Sequence, residues 1–210
     1  ADVNLGCGVR VHTAISWALA AHEEIVVLED DCLPNSSFFR FCDEMLETYR
    51  DDERIMHVSG DNFVGPELSG PYSYYFSRYT HASGWATWRR AWRHFDWSVA
   101  RWPELKRAGL LKTLFDDPYE RGYWTEVYDR LAEGDREIWD YQWNLAMWSQ
   151  AGLAALPAVN LVKNDGWGPD ATHTKDPMRW PETSDLGPIR HPPYVVRNHR
   201  ADAHTFDCNF

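Results

Sequence analysis

Two short β-branched runs separated by a helical stretch constrain the fold of this chain more than any other feature. Residues 25–28 and 55–58 are both apolar runs of the kind found in buried strands. Between them, apolar residues recur at helical spacing over 38–49, after an N-cap signal at 34–37. A strand–helix–strand order predicts an α/β fold with a mostly parallel sheet, in which the two runs are neighbouring interior strands.

The remainder of the chain shows no internal repeat and no linker, so a single domain over residues 1–210 is expected. A helix is predicted at 9–22. The segment after Ser83-Gly84 is also expected to be helical, because its tryptophans at 85, 88 and 92 would share one helical face. The other expected elements are a loop at 61–71, a strand at 72–76, helices through 103–151 broken at Pro118 and Gly134, one or two strands within 153–162, and a loop-rich tail with a last strand at 194–196.

The acidic balance of the chain excludes several classes of partner. Its 210 residues include 21 Lys and Arg against 32 Asp and Glu, a net charge of −11, whereas nucleic acids and anionic membranes are bound by basic surfaces. No apolar run is long enough for a transmembrane helix, and the first residues lack the features of a signal peptide. The four cysteines are far apart, which predicts reduced thiols and a cytoplasmic protein.

Tryptophan is unusually frequent, with 12 residues in the chain. Ligand pockets are commonly lined by aromatic side chains, so a carbohydrate ligand stacked on these rings is one interpretation. The other interpretation is that the rings fill a bulky core. Composition alone leaves both open.

Three adjacent acids, Glu29, Asp30 and Asp31, follow the first predicted strand. In open α/β sheets, ligands bind beyond the carboxyl ends of the strands. Adjacent carboxylates repel one another unless a cation or hydrogen-bond donors compensate, and Mg²⁺ or Mn²⁺ takes oxygen ligands that often include substrate phosphates. The triplet therefore indicates a site for a divalent metal and a diphosphate, although a solvated acidic turn before the next helix would have the same sequence.

Two further segments carry candidate residues. Asp140 lies among aromatic residues at a predicted helix start, where it would serve either as a general base or as a helix N-cap. His173 lies in a Gly-containing loop and would either complete an oxygen-rich metal shell or be an ordinary surface histidine. The sequence motifs of dinucleotide-binding proteins, P-loop NTPases, zinc proteases and serine hydrolases are absent.

These segments, taken in chain order, resemble a known enzyme family. The set resembles bacterial nucleotide-diphospho-sugar glycosyltransferases of the GT-A fold, and it is similar to the N-acetylglucosaminyltransferase I group, which also carries a Glu-Asp-Asp triplet. The resemblance covers nearly the whole chain and implies one GT-A-like domain, with a donor and metal part at 1–82 and an acceptor part at 83–210. It is carried by Asn4-Leu5-Gly6-Cys7, Glu29-Asp30-Asp31-Cys32-Leu33-Pro34, Gly84-Trp85-Ala86-Thr87-Trp88, Trp139-Asp140-Tyr141-Gln142-Trp143 and Ala171-Thr172-His173-Thr174.

The resemblance implies a metal-dependent transfer of a sugar from a nucleotide-diphospho-sugar donor to a hydroxyl of a glycan or another acceptor. Mn²⁺, or Mg²⁺ in its place, would be held by Asp31 and His173, and Asp140 would be the catalytic base. Substrate contacts are implied for Asn4, Arg10, Glu29, Asp30, Gly84 and Trp85.

Two more expectations accompany this assignment. Family members begin with a further strand–helix–strand portion that holds the nucleotide base, and this chain starts where that portion would end. That predicts an N-terminally truncated domain, an incomplete sheet edge near residues 4–11, and self-association into a homo-oligomer. The alternative function is a non-catalytic carbohydrate-binding domain, for which the tryptophan content would suffice and Asp140 would not be needed.

Overall fold

A computed structural model describes residues 3–136, 138–166 and 181–210. These ranges contain a five-stranded sheet with helices on both faces, and a separate two-stranded sheet. The helices are α1 (Cys7–Ala21), α2 (Ser36–Thr48), α3 (Pro66–Ser69), α4 (Arg89–Trp92), α5 (Trp102–Ala108), α6 (Leu110–Leu114), α7 (Pro118–Glu133), α8 (Asp140–Ser149) and α9 (His199–Asn209). The strands are β1 (Glu24–Val27), β2 (Cys32–Pro34), β3 (Ile55–Ser59), β4 (Tyr74–Ser77), β5 (Trp85–Trp88), β6 (Leu153–Pro157) and β7 (Val162–Asn164).

The five-stranded sheet is mixed, in the order β1-β5-β3-β6-β4. β3 and β6 are parallel, whereas β5 is antiparallel to both β1 and β3, and β4 is antiparallel to β6. The prediction of a mostly parallel sheet is therefore wrong, although the α/β class with flanking helices is confirmed. The predicted adjacency of 25–28 and 55–58 is also wrong, because β5 lies between β1 and β3 and leaves β1 at the edge of the sheet.

The strand β5 occupies a segment for which a helix was expected. Its four residues are all buried, and successive side chains point to opposite faces of the sheet. Trp85 lies in one hydrophobic cluster with Trp92, while Trp88 lies in the cluster on the other face. A spacing of three residues places two side chains on one face of a helix but on opposite faces of a strand. The tryptophans thus anchor both layers of the core.

Helix α2 covers one face of the sheet, as the sequence predicts. The Asn35 side chain caps it by accepting hydrogen bonds from the backbone N–H groups of Ser37 and Phe38, at 2.9 and 3.2 Å. Its apolar residues Phe38, Phe41 and the others at the predicted spacing are buried against the sheet. Helices α1, α4 and α8 contribute to the cluster on the opposite face.

A third hydrophobic cluster is formed mainly by helices α5 to α9. The predicted helix breaks are confirmed, since Pro118 begins α7 after an Asp117 cap and Gly134 ends it in a left-handed conformation. Helix α9 was not expected. It is held by a buried ion pair, in which the Nε of Arg78 lies 3.2 Å from the Oδ2 of Asp202, and this pairing has no signature in the local sequence pattern.

Candidate functional site

Acids from two distant parts of the chain meet in one cleft, two from a single turn and the third more than a hundred positions later. The cleft has a volume of about 180 Å³ and lies at the edge of the sheet where β1 and β3 end and β5 begins. Glu29, Asp31 and Asp140 all line it, and we call it the acid cleft. Its complete lining is Cys7, Glu29, Asp31, Cys32, Ala82, Ser83, Ile138, Trp139, Asp140 and Asn164.

Glu29 and Asp31 are fixed by a turn and a short antiparallel pair. The backbone N–H of Cys32 donates to the carbonyl of Glu29 at 3.1 Å, which closes the turn between β1 and β2. β2 then pairs with β7, placing Asn164 opposite Cys32. Next to the Cys32–Asn164 pair, the N–H of Asp165 donates to the carbonyl of Asp31 at 2.9 Å. The acidic turn is therefore anchored at both ends, unlike a freely solvated turn.

Asp140 is the first residue of α8, while Trp139 holds the N-cap position without a side-chain cap. The N-cap alternative for Asp140 is therefore wrong. The acid instead lies in the first helical turn, where the helix dipole favours a negative charge. Helix α8 is attached to the sheet by the indole of Trp143, which donates to the Nδ1 of His57 on β3 at 3.1 Å. This attachment places Asp140, at the start of α8, in the acid cleft.

Trp139 lies beside both parts of the chain that supply acids to the cleft, the turn after β1 and the start of α8. Its ring stacks on that of Trp85 with centroids 5.3 Å apart, and its indole lies near the carboxylate of Glu29 and favours its ionised form. Trp139, the neighbour of Asp140 in the chain, is therefore also a neighbour of an acid in the turn after β1.

The acid cleft concentrates negative charge in a partly buried space. Burial raises the pKa of Glu29, and the carboxylates of Asp31, Asp140 and Asp30 raise it further. The pKa of the Cys7 thiol is also raised, by burial and then by Glu29 and Asp140. Among the described residues, no Lys or Arg lines the cleft. Such a cleft favours a ligand that brings positive charge.

A divalent metal fits this lining only if substrate phosphates supply some of its ligands. In the described part of the chain, no three His, Cys, Asp or Glu side chains form a group that could hold a metal ion. Mg²⁺ and Mn²⁺ that bind with substrate phosphates need only one or two protein carboxylates. Asp31 is suited to supply one, since its carboxylate lies against Gly166, where an added Cβ would be 2.0 Å from Oδ2. The glycine leaves this carboxylate the room that a side chain would take.

The other predicted site residues lie outside the cleft lining. Asn4 and Arg10 are exposed, and the Asn4 side chain accepts from the N–H of Gly6 at 2.9 Å. Asp30 is exposed beside the cleft, in the same turn as Glu29 and Asp31. His173 lies outside the described residues, so its place relative to Asp31 stays a prediction.

Gly84 and Trp85 are buried and support the cleft from behind. Trp85 is 0% exposed and therefore offers no ring face to a ligand. It supports the cleft by stacking on Trp139 and on His57. Gly84 adjoins the cleft residue Ser83 and has a φ of +93°. The direct substrate contacts implied for these two residues stay predictions.

Gly84 also permits a close approach that a larger residue would prevent. An added Cβ would lie 2.8 Å from the Cγ2 of Val162, whereas at Gly134, with a φ of +111°, it would meet nothing within 4 Å.

We expect Gly134→Ala to lower the free energy of unfolding by about 1 kcal/mol. Gly84→Ala should cost about 2–4 kcal/mol, because overpacking adds to the unfavourable φ. Urea denaturation measures both, and equal losses would contradict this account.

Sequence reasoning missed four residues of this region, namely Cys7, Ser83, Asn164 and Asp61. Asp61 is 0% exposed, and its Oδ2 accepts from the N–H of Ser83 at 3.0 Å, which holds the cleft wall. Its Oδ1 has no hydrogen-bond partner among the described residues. The sequence does contain a signal for Asp61. Gly60-Asp61-Asn62 follows β3 at the same edge of the sheet where Glu29-Asp30-Asp31 follows β1.

Asp61 gives the stability a predictable pH dependence. Burial raises its pKa well above the ordinary 3.8, and the hydrogen bond from Ser83 opposes this only in part. The folded protein therefore binds a proton at Asp61 that the unfolded chain releases, so stability falls as pH rises from the unfolded pKa towards the folded one. Asp61→Asn keeps the acceptor for Ser83 but cannot ionise.

We expect the stability of Asp61→Asn relative to the parent to increase as the pH rises above the ordinary pKa of an aspartate. Urea denaturation at a series of pH values measures this difference. The matched control is Asp43→Asn, which changes an exposed acid on α2 and should leave the pH profile of the parent in place. Parallel profiles for parent and Asp61→Asn would show that the buried carboxyl does not titrate in this range.

Comparison of the chain with known protein families and with curated proteins finds no match. Within the described ranges, no helix combines the length and the apolar character that crossing a membrane requires. All four cysteines are free thiols, as the sequence predicts, with Cys32 and Cys42 buried and Cys7 and Cys208 exposed.

Proposed function

We propose that the acid cleft is the donor site of a metal-dependent glycosyltransferase, which moves a sugar from a nucleotide-diphospho-sugar to a hydroxyl of a glycan or another acceptor. The observation that carries this proposal is the meeting of Glu29 and Asp31 with Asp140 in one cleft at a sheet edge. Strand-end acids suit a metal–diphosphate complex, and an acid on a separate element suits proton abstraction. The resemblance of five ordered sequence segments to GT-A enzymes supports the same assignment.

Asp31 is the residue best placed to hold the metal, with the diphosphate supplying further oxygen ligands. When bound, a divalent ion would neutralise the charge that develops on the leaving diphosphate. The resemblance adds His173 to this shell. Glu29, whose carboxylate lies near the indole of Trp139, would face the sugar or ribose hydroxyls of the donor.

Asp140 is proposed as the base. It accepts the proton of the acceptor hydroxyl while that oxygen forms a bond to the anomeric carbon, and the bond from this carbon to the diphosphate oxygen breaks. Asp140 lies in the first turn of α8, where the helix dipole favours a negative charge. Catalysis then consists largely of holding the two substrates in line and stabilising the departing charge.

The burial of the tryptophans gives little support to the non-catalytic carbohydrate-binding alternative. Most of the tryptophans that the structure describes are core residues and present no face for a sugar, whereas Trp17 is 80% exposed on α1. The buried ones are Trp85, Trp88, Trp92, Trp102, Trp124, Trp139, Trp143 and Trp148.

A donor screen tests the proposal. The chain is incubated with Mn²⁺ and a series of nucleotide-diphospho-sugars, and binding of each donor and release of the nucleoside diphosphate, with water as the acceptor, are measured. We expect release from one donor class, loss of release with a chelator, and unchanged release in the surface variant Asp43→Asn. If no donor is bound or cleaved with Mn²⁺ or Mg²⁺, the proposed function is wrong.

A further inference from the structure

A cysteine and a histidine lie together on the surface of helix α9, outside the lining of the acid cleft. The Sγ of Cys208 is 3.6 Å from the Nε2 of His204. The two residues are four positions apart, which makes them neighbours on one face of a helix. The same spacing lets two histidines of one helix bind a single zinc ion in metalloproteases. We call these two residues the Cys–His pair.

The separation of the two ligand atoms matches that of two ligands on one tetrahedral zinc ion. In such sites the Zn–S bond is about 2.3 Å long and the Zn–N bond about 2.0–2.1 Å. With an angle of about 109° between these bonds, the sulfur and the nitrogen lie about 3.5–3.6 Å apart. The observed 3.6 Å is this distance, so zinc would bind with little movement of either side chain.

Both ligand atoms can be reached from the solvent, and the helix that carries them is fixed. Cys208 is an exposed free thiol in the last turn of α9, and His204 is partly exposed. The opposite face of the helix is buried through Phe206 and through Asp202, which pairs with Arg78. The C-terminal end of a helix also favours a cation. The pair is therefore held ready on a fixed support.

The Cys–His pair is only half of a zinc site. Structural zinc ions almost always have four ligands. In the described part of the chain, no third His, Cys, Asp or Glu side chain joins the two to form a metal-binding group. A second copy of the chain would bring the same pair across a two-fold axis, because a two-fold interface joins identical surfaces. Two cysteines and two histidines are a common ligand set of structural zinc.

We propose that one zinc ion links two copies of this chain, with Cys208 and His204 of each copy as its four ligands. Each histidine binds through the Nε2 of its neutral ring, and each thiol gives its proton to the solvent as its sulfur bonds to the metal. The two positive charges of the ion are then balanced by two thiolates. This site is independent of the donor site proposed for the acid cleft.

Titration of the full chain with Zn²⁺ alone, in the presence of a reductant that does not bind metals, tests the proposal. Sedimentation equilibrium measures the mass of the particle, and calorimetry measures the stoichiometry. We expect the mass to double as zinc is added, with saturation at one ion for every two chains, and a chelator should reverse the change. Co²⁺ in place of Zn²⁺ should give the near-ultraviolet absorption of a cobalt–thiolate bond, which reports whether a cysteine binds the metal.

Variants connect the association to the named residues. Cys208→Ser and His204→Gln each remove one ligand from the surface and should weaken zinc binding by more than about 100-fold, since losing a residue that only supports a ligand already costs about 10–100-fold. The matched control His199→Gln removes another exposed histidine of α9 and should associate as the parent does. Asp31→Asn should also associate normally, so this result does not depend on the function proposed for the acid cleft.

The proposal fails if zinc leaves the mass unchanged. Saturable binding of one ion per chain without association would mean that the ligand shell is completed within a single chain. Zinc-dependent association that persists in Cys208→Ser, with the cobalt–thiolate absorption also unchanged, would place the metal at another cysteine and would equally overturn the proposal.

Discussion

Asp140→Asn is expected to reduce sugar transfer by roughly 10²–10⁴-fold, the contribution that general acid–base catalysis usually makes. The amide keeps the shape of the side chain but cannot accept the acceptor's proton. Donor binding should stay near the parent's value, because our proposal places the diphosphate at Asp31 and not at Asp140. Steady-state kinetics with the donor found by the screen, with kcat and the donor KM measured separately, checks this.

The stability of Asp140→Asn separates a catalytic role from a structural one. The Oδ1 of Asp140 accepts the N–H of Tyr141 at 3.1 Å, a bond that an asparagine oxygen can keep, so the change should mainly weaken the interaction with the helix dipole, by about 0.3–1 kcal/mol. The same change removes one of the carboxylates that raise the pKa of Glu29, so that pKa should fall. Activity within a few-fold of the parent, together with the expected drop in the pKa of Glu29, would remove Asp140 from catalysis while leaving its place in the cleft intact.

Asp31→Asn should have the largest effect on ligand binding. We expect metal-dependent binding of a nucleoside diphosphate to weaken by more than about 100-fold, since removing a residue that only supports a metal ligand already costs about 10–100-fold. Calorimetry with uridine and guanosine diphosphates, with and without Mn²⁺, measures this. The asparagine preserves the backbone contacts from Cys32 and Asp165 that hold the turn.

Asp43→Asn is the matched control for this experiment, because it removes one exposed carboxylate far from the cleft lining and changes the net charge by the same amount. It should bind as the parent does. An Asp31→Asn variant that binds Mn²⁺ and nucleotide as well as the control would show that the metal, if used, is held elsewhere.

The layers of the fold could be predicted from the sequence, whereas the strand order could not. The pattern of α2, with its Asn35 cap and buried Phe38 and Phe41, is strong and local, so the helix was placed correctly. The pattern of Trp85 and Trp88 fits a helix and a strand equally well. The deciding contacts are those of β5 with β1 and β3, which come from distant parts of the chain. Together with the antiparallel pairing of β4 and β6, this four-residue segment makes the sheet mixed rather than mostly parallel.

The acids of the cleft could be found from sequence, but most of its supporting contacts could not. Glu29 and Asp31 are marked by their place after a strand, and Asp140 by its aromatic neighbours. The contact of the Trp139 indole with Glu29 and the backbone bond from Ser83 to Asp61 join elements that no local spacing relates. Burial could not be predicted from the sequence either, since Trp85 is a core residue that stacks on Trp139.

The central claim, that the acid cleft binds a divalent metal together with the donor's diphosphate, is tested most directly by locating that metal. Crystals of the chain grown with Mn²⁺ and the nucleoside diphosphate that binds most tightly would be measured for anomalous scattering at the manganese edge. The account predicts an anomalous peak in contact with the carboxylate of Asp31 and with diphosphate oxygens, on the side of the cleft facing Asp140. A bound nucleotide whose Mn²⁺ lies on another surface, away from Asp31, would contradict it.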